Sequence, residues 1–322
     1  MFRDLIQHSP KCEHSKVRAP LYDIATLARD MDNSNQRHYT SVQVPKPLNL
    51  TGVVFHESRC GSTLVANTLI AAYPEQHRVF SESPPPVTAL KSCGDEYEIC
   101  SIDIAARILR DALYMMARTN DPEEQRVFFK IQSIGSRHIE VFQRAFPATP
   151  WMFVYREPVQ VMMSHLASGY RRANCLRSLS RPPPSIVQLA RNHGHASVSD
   201  LSPEEFCAAH LATITETALR NIQQSHGYGV AVNYDSLPNA MYEYILPKHM
   251  GVTVNSQMIQ RVVQISEQYS KGRGERKKKW EEDSEQKEEQ ANKAVRKAAK
   301  KFLLESYQAL EEVGPDKRTL IT

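Results

Sequence analysis

The chain lacks any run approaching the roughly 20 apolar residues that cross a bilayer. Its start, Met1-Phe-Arg-Asp-Leu-Ile-Gln-His8, carries no apolar stretch of the signal-peptide kind. No C-x-x-C pair occurs among the six cysteines, at 12, 60, 93, 100, 175 and 207. That scatter argues against a zinc ribbon or a dense disulfide framework and predicts free thiols, with Cys93 and Cys100 able to pair across a short loop. Charge of one sign is also missing: 40 Lys+Arg against 36 Asp+Glu leave +4. That is too little to argue nucleic-acid binding, yet it leaves room for a local basic pocket facing a small polyanion. No internal repeat is visible. What remains is an ordinary globular composition, 41% hydrophobic and 24% charged over 322 residues, read as cytoplasmic and without a membrane span.

Residues 1–47 read as a polar extension with one helix near Tyr22–Asp30, and residues 48–322 as one α/β domain. From Leu48 onward short apolar runs alternate with helical periodicity. Strands are predicted at 52–56, 78–80, 127–131, 151–155 and 229–234, and helices near 62–73, 102–116, 137–146, 158–170 and 203–225. Trp151-Met-Phe-Val-Tyr155 shows no polar alternation, as expected of a strand covered on both faces. Such alternation of strands and helices predicts a central, mostly parallel sheet flanked by helices. The stretch 171–203, with Pro182-Pro-Pro184 and His193-Gly-His195, reads as a long loop or lid. The charged tail reads as one docking helix over about 280–313, its apolar stripe formed by Ala291, Ala294, Val295, Ala298, Phe302, Ala309 and Val313.

Gly52-Val-Val-Phe-His-Glu-Ser-Arg-Cys-Gly-Ser-Thr-Leu64 runs from an apolar strand through a donor-rich turn into a helix. That layout gathers backbone N–H groups and a helix N-terminus around an oxyanion, with Arg59, Ser62 and Thr63 adding side-chain donors. A triphosphate-binding loop would need Gly-x-x-x-x-Gly-Lys-Ser/Thr; here there is one glycine and no lysine. No strand end offers an evident magnesium-holding aspartate. A second site ends the strand 151–155: Tyr155-Arg156-Glu-Pro158, with Ser164 eight residues beyond the arginine. Arginine at a strand's C-terminal end points into the crevice where open α/β sheets bind ligands, and its fork suits phosphate. Taken alone, it could instead be a surface arginine paired with Glu157.

Together these segments resemble the P-loop-like sulfotransferase family, closest in motif style to its tyrosylprotein and bacterial-type branch. Arg59-Cys-Gly-Ser-Thr-Leu64 matches the family's 5′-phosphosulfate loop, and Arg156 with Ser164 its 3′-phosphate motif. Phe129-Lys-Ile-Gln-Ser133 and Val232-Asn-Tyr-Asp-Ser-Leu237 are similar to two further strand motifs, so the resemblance spans about residues 48–240. It implies a three-layer, P-loop NTPase-like sulfotransferase fold and 3′-phosphoadenosine 5′-phosphosulfate as co-substrate, with no metal. The donor would be held by Arg59, Cys60, Gly61, Ser62, Thr63, Arg156, Ser164 and Tyr234. Lys271 or Arg273 would close the site, since Ser270-Lys-Gly-Arg273 loosely resembles the family's late Lys/Arg-Gly loop. The alternative for the run 271–279 is solvated charge.

The same comparison places the general base at Glu82, in Arg78-Val-Phe-Ser-Glu-Ser-Pro84, with His56 and His77 as weaker candidates. Arg59 would stabilise the leaving group. The implied acceptor is a hydroxyl or amine of a small molecule, carbohydrate or peptide, not a nucleic acid. Acceptor identity and oligomeric state stay open, as do two other readings, a kinase-like phosphoryl transferase and a catalytically silent nucleotide-binding relative. Two departures from the family stand out. Cys60 replaces a hydroxyl residue, and Glu57 stands where many relatives carry proline. Glu57 is expected to point away from the ligand or to pair with Arg59.

Overall fold

A computed structural model describes residues 19–38, 45–92, 101–167, 169–268 and 283–314. Helix α1 (Leu21–His38) precedes a two-residue strand β1 (Lys46–Pro47) and the long strand β2 (Asn49–His56). Then follow α2 (Ser62–Ala72), β3 (His77–Ser81), α3 (Pro84–Leu90), α4 (Ile102–Ala117) and the short β4 (Arg118–Thr119). Next come β5 (Arg126–Lys130), α5 (Ile139–Ala145), β6 (Trp151–Tyr155) and α6 (Pro158–Leu166). Helices α7 (Pro184–Asn192) and α8 (Pro203–Gln223) lead to β7 (Gly229–Asn233). The described chain ends with α9 (Ser256–Ser266), α10 (Ser284–Gln290), α11 (Lys293–Phe302) and α12 (Leu304–Val313).

Five strands form one sheet in the order β3-β5-β2-β6-β7, and every neighbouring pair is parallel. Strands β1 and β4 make a separate antiparallel pair. Alternate side chains feed two cores, as the period-2 geometry of a strand requires. Val53, Phe55, Phe129, Phe153 and Tyr155 join a cluster with α4, α5 and α8, while Val54, Phe128, Met152 and Val154 join one with α2 and α9. The fold is therefore the predicted three-layer α/β sandwich. After β5 the chain crosses over β2 to reach β6, so the strand order reverses beside β2. Open α/β sheets bind ligands outside the strand ends at such a point.

Three expectations are corrected. The stretch 171–203 is no open loop. Ala173, Cys175, Ile186, Leu189, Ala190 and Val198 are buried in a third cluster with α6, α8 and α11, and α7 lies inside it. Within that packing Cys175 and Cys207 are joined as a disulfide where free thiols were expected, because α8 brings two residues far apart in sequence side by side. Cys60 is a buried free thiol; Cys93 and Cys100 lie outside the described residues. The tail is three helices rather than one. Asn292 breaks it by capping α11, its side chain accepting from the Val295 N–H at 2.9 Å. The buried stripe runs through Val295, Ala298, Ala299, Phe302 and Leu310, leaving Ala294 exposed.

Helix α1 lies against α4, with Arg29 bonded to Asp111 at 2.6 Å and Asp32 to Arg118 at 2.6 Å. Among the described residues no helix is long and apolar enough to cross a membrane.

Candidate active site

The C-terminal ends of the parallel strands carry the candidate residues. Strand β2 leaves the sheet at His56 and turns through Ser58 (φ 76°) and Arg59 (φ 58°) into Gly61 (φ 81°). Two consecutive non-glycine residues in the left-handed region cost roughly 1–2 kcal/mol each. Such strain persists where surrounding contacts over-determine it and clusters at functional sites. Gly61 is required twice over, by its φ and because an added Cβ would stand 2.3 Å from the Tyr234 ring. Helix α2 starts immediately after it, with Ser62 buried and Thr63 half-buried. The Nε of Arg59 is buried and has no hydrogen-bond partner among the described residues, an unspent donor beside a helix N-terminus. Cys60 is buried beside Val65 and Leu69, its sulfur facing the backbone N–H groups of Ser62 and Glu57, and burial pushes the thiol up to about 12.

Glu82 follows β3 and is also left-handed, at φ 56°. Its N–H donates to the Lys130 carbonyl at 2.8 Å, and its carbonyl accepts from Gln132 Nε2 at 2.9 Å. These bonds fix the backbone while the carboxylate reaches Lys130 Nζ and stands 3.6 Å from His56 Nε2. His56 Nδ1 accepts the Ser58 N–H at 3.0 Å, which leaves the neutral ring's proton on Nε2, facing Glu82. Ser136 braces the His56 backbone through two bonds of 3.1 Å. His77, the other candidate base, sits at the opposite end of β3 against Tyr73 and Phe128. It donates through Nδ1 to the Leu69 carbonyl at 2.8 Å, and burial pulls it down to about 4, so it takes no part at this edge. Lys130 is the member of the cluster that motif reading passed over as a site residue, although it lies within the quoted Phe129–Ser133 segment.

Arg156 ends β6 and is 5% exposed. Its guanidinium lies over the Tyr234 ring at 4.1 Å, so Tyr234 is wedged between Gly61 and Arg156. Nε donates to Gln160 Oε1 at 2.7 Å, and the fork reaches Ser284 Oγ at 2.6 Å and Asp283 Oδ1 at 3.3 Å. The ion pair with Glu157 does not form; Glu157 instead caps α6, accepting from the Gln160 N–H at 2.8 Å. Ser164 lies two turns along α6 on the Arg156–Gln160 face and is half-buried. Of the two expectations for Glu57, the pairing with Arg59 does not form; its Oε1 instead accepts the Arg156 N–H at 2.6 Å. Lys271 and Arg273 lie outside the described residues. The His193-Gly-His195 pair is remote from this edge, packed on Phe302 with His195 Nε2 accepting from Lys301 at 2.6 Å.

No family model matches the chain, and no curated protein does. Among solved structures, it is similar to the sulfotransferase domain of the Synechococcus PCC 7002 olefin synthase. That alignment covers 86% of this chain and 98% of that domain, at 13% identity and a TM-score of 0.39. A likeness this distant assigns no activity, and the functional reading rests on the site itself.

Proposed function

We propose that the chain is a sulfotransferase that moves a sulfuryl group from 3′-phosphoadenosine 5′-phosphosulfate to a hydroxyl or amine of a small-molecule, carbohydrate or peptide acceptor. The observation that carries the reading is the Glu82 carboxylate, held by Lys130 and His56 at the same sheet edge as the left-handed turn bearing Arg59. In this reading Arg59, Gly61, Ser62 and Thr63 hold the phosphosulfate. Arg156 and Ser164 hold the 3′-phosphate beside Tyr234, and Lys271 or Arg273 closes over the nucleotide.

Glu82 accepts the acceptor's proton as the acceptor's hydroxyl oxygen or amine nitrogen attacks sulfur. The bond from sulfur to the bridging oxygen breaks, and 3′,5′-adenosine bisphosphate leaves with its new charge beside Arg59 and the loop N–H groups. Sulfuryl transfer, like phosphoryl transfer, rests mostly on positioning and charge stabilisation. Lys130 and His56 contribute by orienting the base.

A kinase-like reading fits less well. The loop 57–63 carries no lysine, and its one acid, Glu57, is engaged with the Arg156 N–H. The lysine and acid nearest that role, Lys130 and Glu82, are bonded to each other. The test is formation of 3′,5′-adenosine bisphosphate from the phosphosulfate donor in the presence of pooled hydroxyl and amine acceptors. The expected result is turnover that falls about 10²–10⁴-fold in Glu82→Gln, with none from ATP. Turnover of ATP alone would establish the kinase, and turnover of neither the silent relative.

A further inference from the structure

Glu57 is 3% exposed and makes two bonds to β6 at the point where both strands leave the sheet. Its N–H donates to the Val154 carbonyl at 3.3 Å, and its Oε1 accepts the Arg156 N–H at 2.6 Å. The side chain thus ties the loop that carries Arg59 to the strand end that carries Arg156. The groups that face it are Tyr155, Arg156 and Glu157 from the β6 end and the Cys60 thiol from its own loop. Arg156 is the one cation among these, and its guanidinium is engaged with Gln160, Ser284, Asp283 and the Tyr234 ring. An ionised carboxylate there would be a buried negative charge beside two anion-binding loops. A protonated one keeps a lone pair for the Arg156 N–H and carries no charge.

We infer that Glu57 is the positioning residue that sets the spacing of the two anion loops, and that it does so as the neutral acid, so that a nucleotide phosphorylated at both its 3′ and 5′ ends binds together with a proton. This rests on the sulfotransferase reading for the identity of the nucleotide. Burial favours the neutral form most strongly, lifting Glu57 to about 8; the Arg156 N–H and guanidinium oppose the rise and Glu157 adds to it. Bound phosphate charge pushes it further in the same direction. Nucleotide affinity is therefore full below about pH 8 and declines as the pH rises through that value, where binding must restore the proton.

The experiment is calorimetric titration with 3′,5′-adenosine bisphosphate at several pH values, in buffers of different ionisation enthalpy, for the wild type and Glu57→Gln. The amide oxygen in that variant keeps an acceptor for the Arg156 N–H but takes up no proton. The wild type is expected to take up between about a half and one proton more than the variant at pH ~8.5 and no more than the variant at pH ~6.5, where both share whatever the nucleotide's own phosphates exchange. The variant is expected to bind within about threefold of wild type at neutral pH, without that excess. Equal uptake by the two proteins overturns the inference.

A second readout needs no nucleotide. The folded chain holds the Glu57 proton up to about 8, whereas an unfolded carboxyl releases it near pH ~4.3. Wild-type stability therefore falls as the pH rises between those values. The Tm difference, Glu57→Gln minus wild type, should grow across that window and level off above it. A flat difference overturns the neutral-acid state by itself. Failure of the nucleotide to bind at any pH overturns the sulfotransferase reading and the coupled uptake, while the melts still judge the state of Glu57.

Discussion

The ammonium of Lys130 and the carboxylate of Glu82 are bonded across the ends of two neighbouring strands, and they differ sharply in exposure. The Lys130 side chain is 1% exposed and that of Glu82 48%. Removing either partner breaks the same contact with unequal cost. Glu82→Ala leaves a buried ammonium without its carboxylate, a loss of about 3–5 kcal/mol. Lys130→Met leaves a carboxylate that water can reach, and its cost should stay below about 1 kcal/mol. Urea unfolding of the two variants measures this, and equal costs would contradict the arrangement. Under the sulfotransferase reading Lys130→Met still loses turnover, by at least about tenfold, because the base is no longer oriented. Affinity for 3′,5′-adenosine bisphosphate should stay within about threefold of wild type, since in this reading Lys130 orients the base and is not among the residues that hold the donor.

Asp283 and Ser284 meet the guanidinium of Arg156, and Glu288 takes the amide of Gln160 on the same face of α6, at 2.6 Å. A 3′-phosphate held by Arg156 must displace or share with the Asp283 carboxylate. Asp283 is 48% exposed, so the ion pair is worth about 0.2–1 kcal/mol. Asp283→Asn should therefore tighten 3′,5′-adenosine bisphosphate by up to about fivefold, with little change for 5′-AMP, which has no 3′-phosphate. Weaker binding in the variant would mean that Asp283 belongs to the site instead of competing with its ligand.

The Cys175–Cys207 bridge pins the folded stretch between α6 and α8 to α8 itself, closing a loop with a sequence separation of 32. For a loop of that length the chain-entropy account gives about 3–4 kcal/mol. Cys175→Ser should lower unfolding stability by that order. Alkylation without reductant should leave both cysteines unlabelled by mass spectrometry. Labelling of both in the native fold would contradict the bridge. Bridges of this kind persist in oxidising compartments, and the cytoplasmic reading expects free thiols.

Legibility in the sequence followed the range of each interaction. Trp151–Tyr155 and Val127–Phe129 declare themselves because strands covered on both faces are continuously apolar, and the turn at Arg59–Thr63 because its donors are contiguous. Partners distant in sequence left no trace. Glu57 meets Arg156 across 99 positions, and Arg156 meets Asp283 across 127, so neither pairing has a spacing to read. Lys130 was hidden by its apolar neighbours, a lone cation at the end of a core strand. Prolines and glycine between 171 and 203 mask the period of α7, whose buried face is only Ile186, Leu189 and Ala190. The tail misled differently: its alanines suggest one continuous stripe, and the cap at Asn292 marks only the first of two breaks, the second falling at Leu303.

The most direct test of the central claim is calorimetric titration of the wild type with 3′,5′-adenosine bisphosphate and with ATP, alongside Arg156→Ala. The expected result is micromolar binding of the bisphosphate that is lost in the variant, with ATP at least about tenfold weaker. No binding, or equal binding of ATP, would contradict the assignment of this strand edge to a phosphosulfate donor.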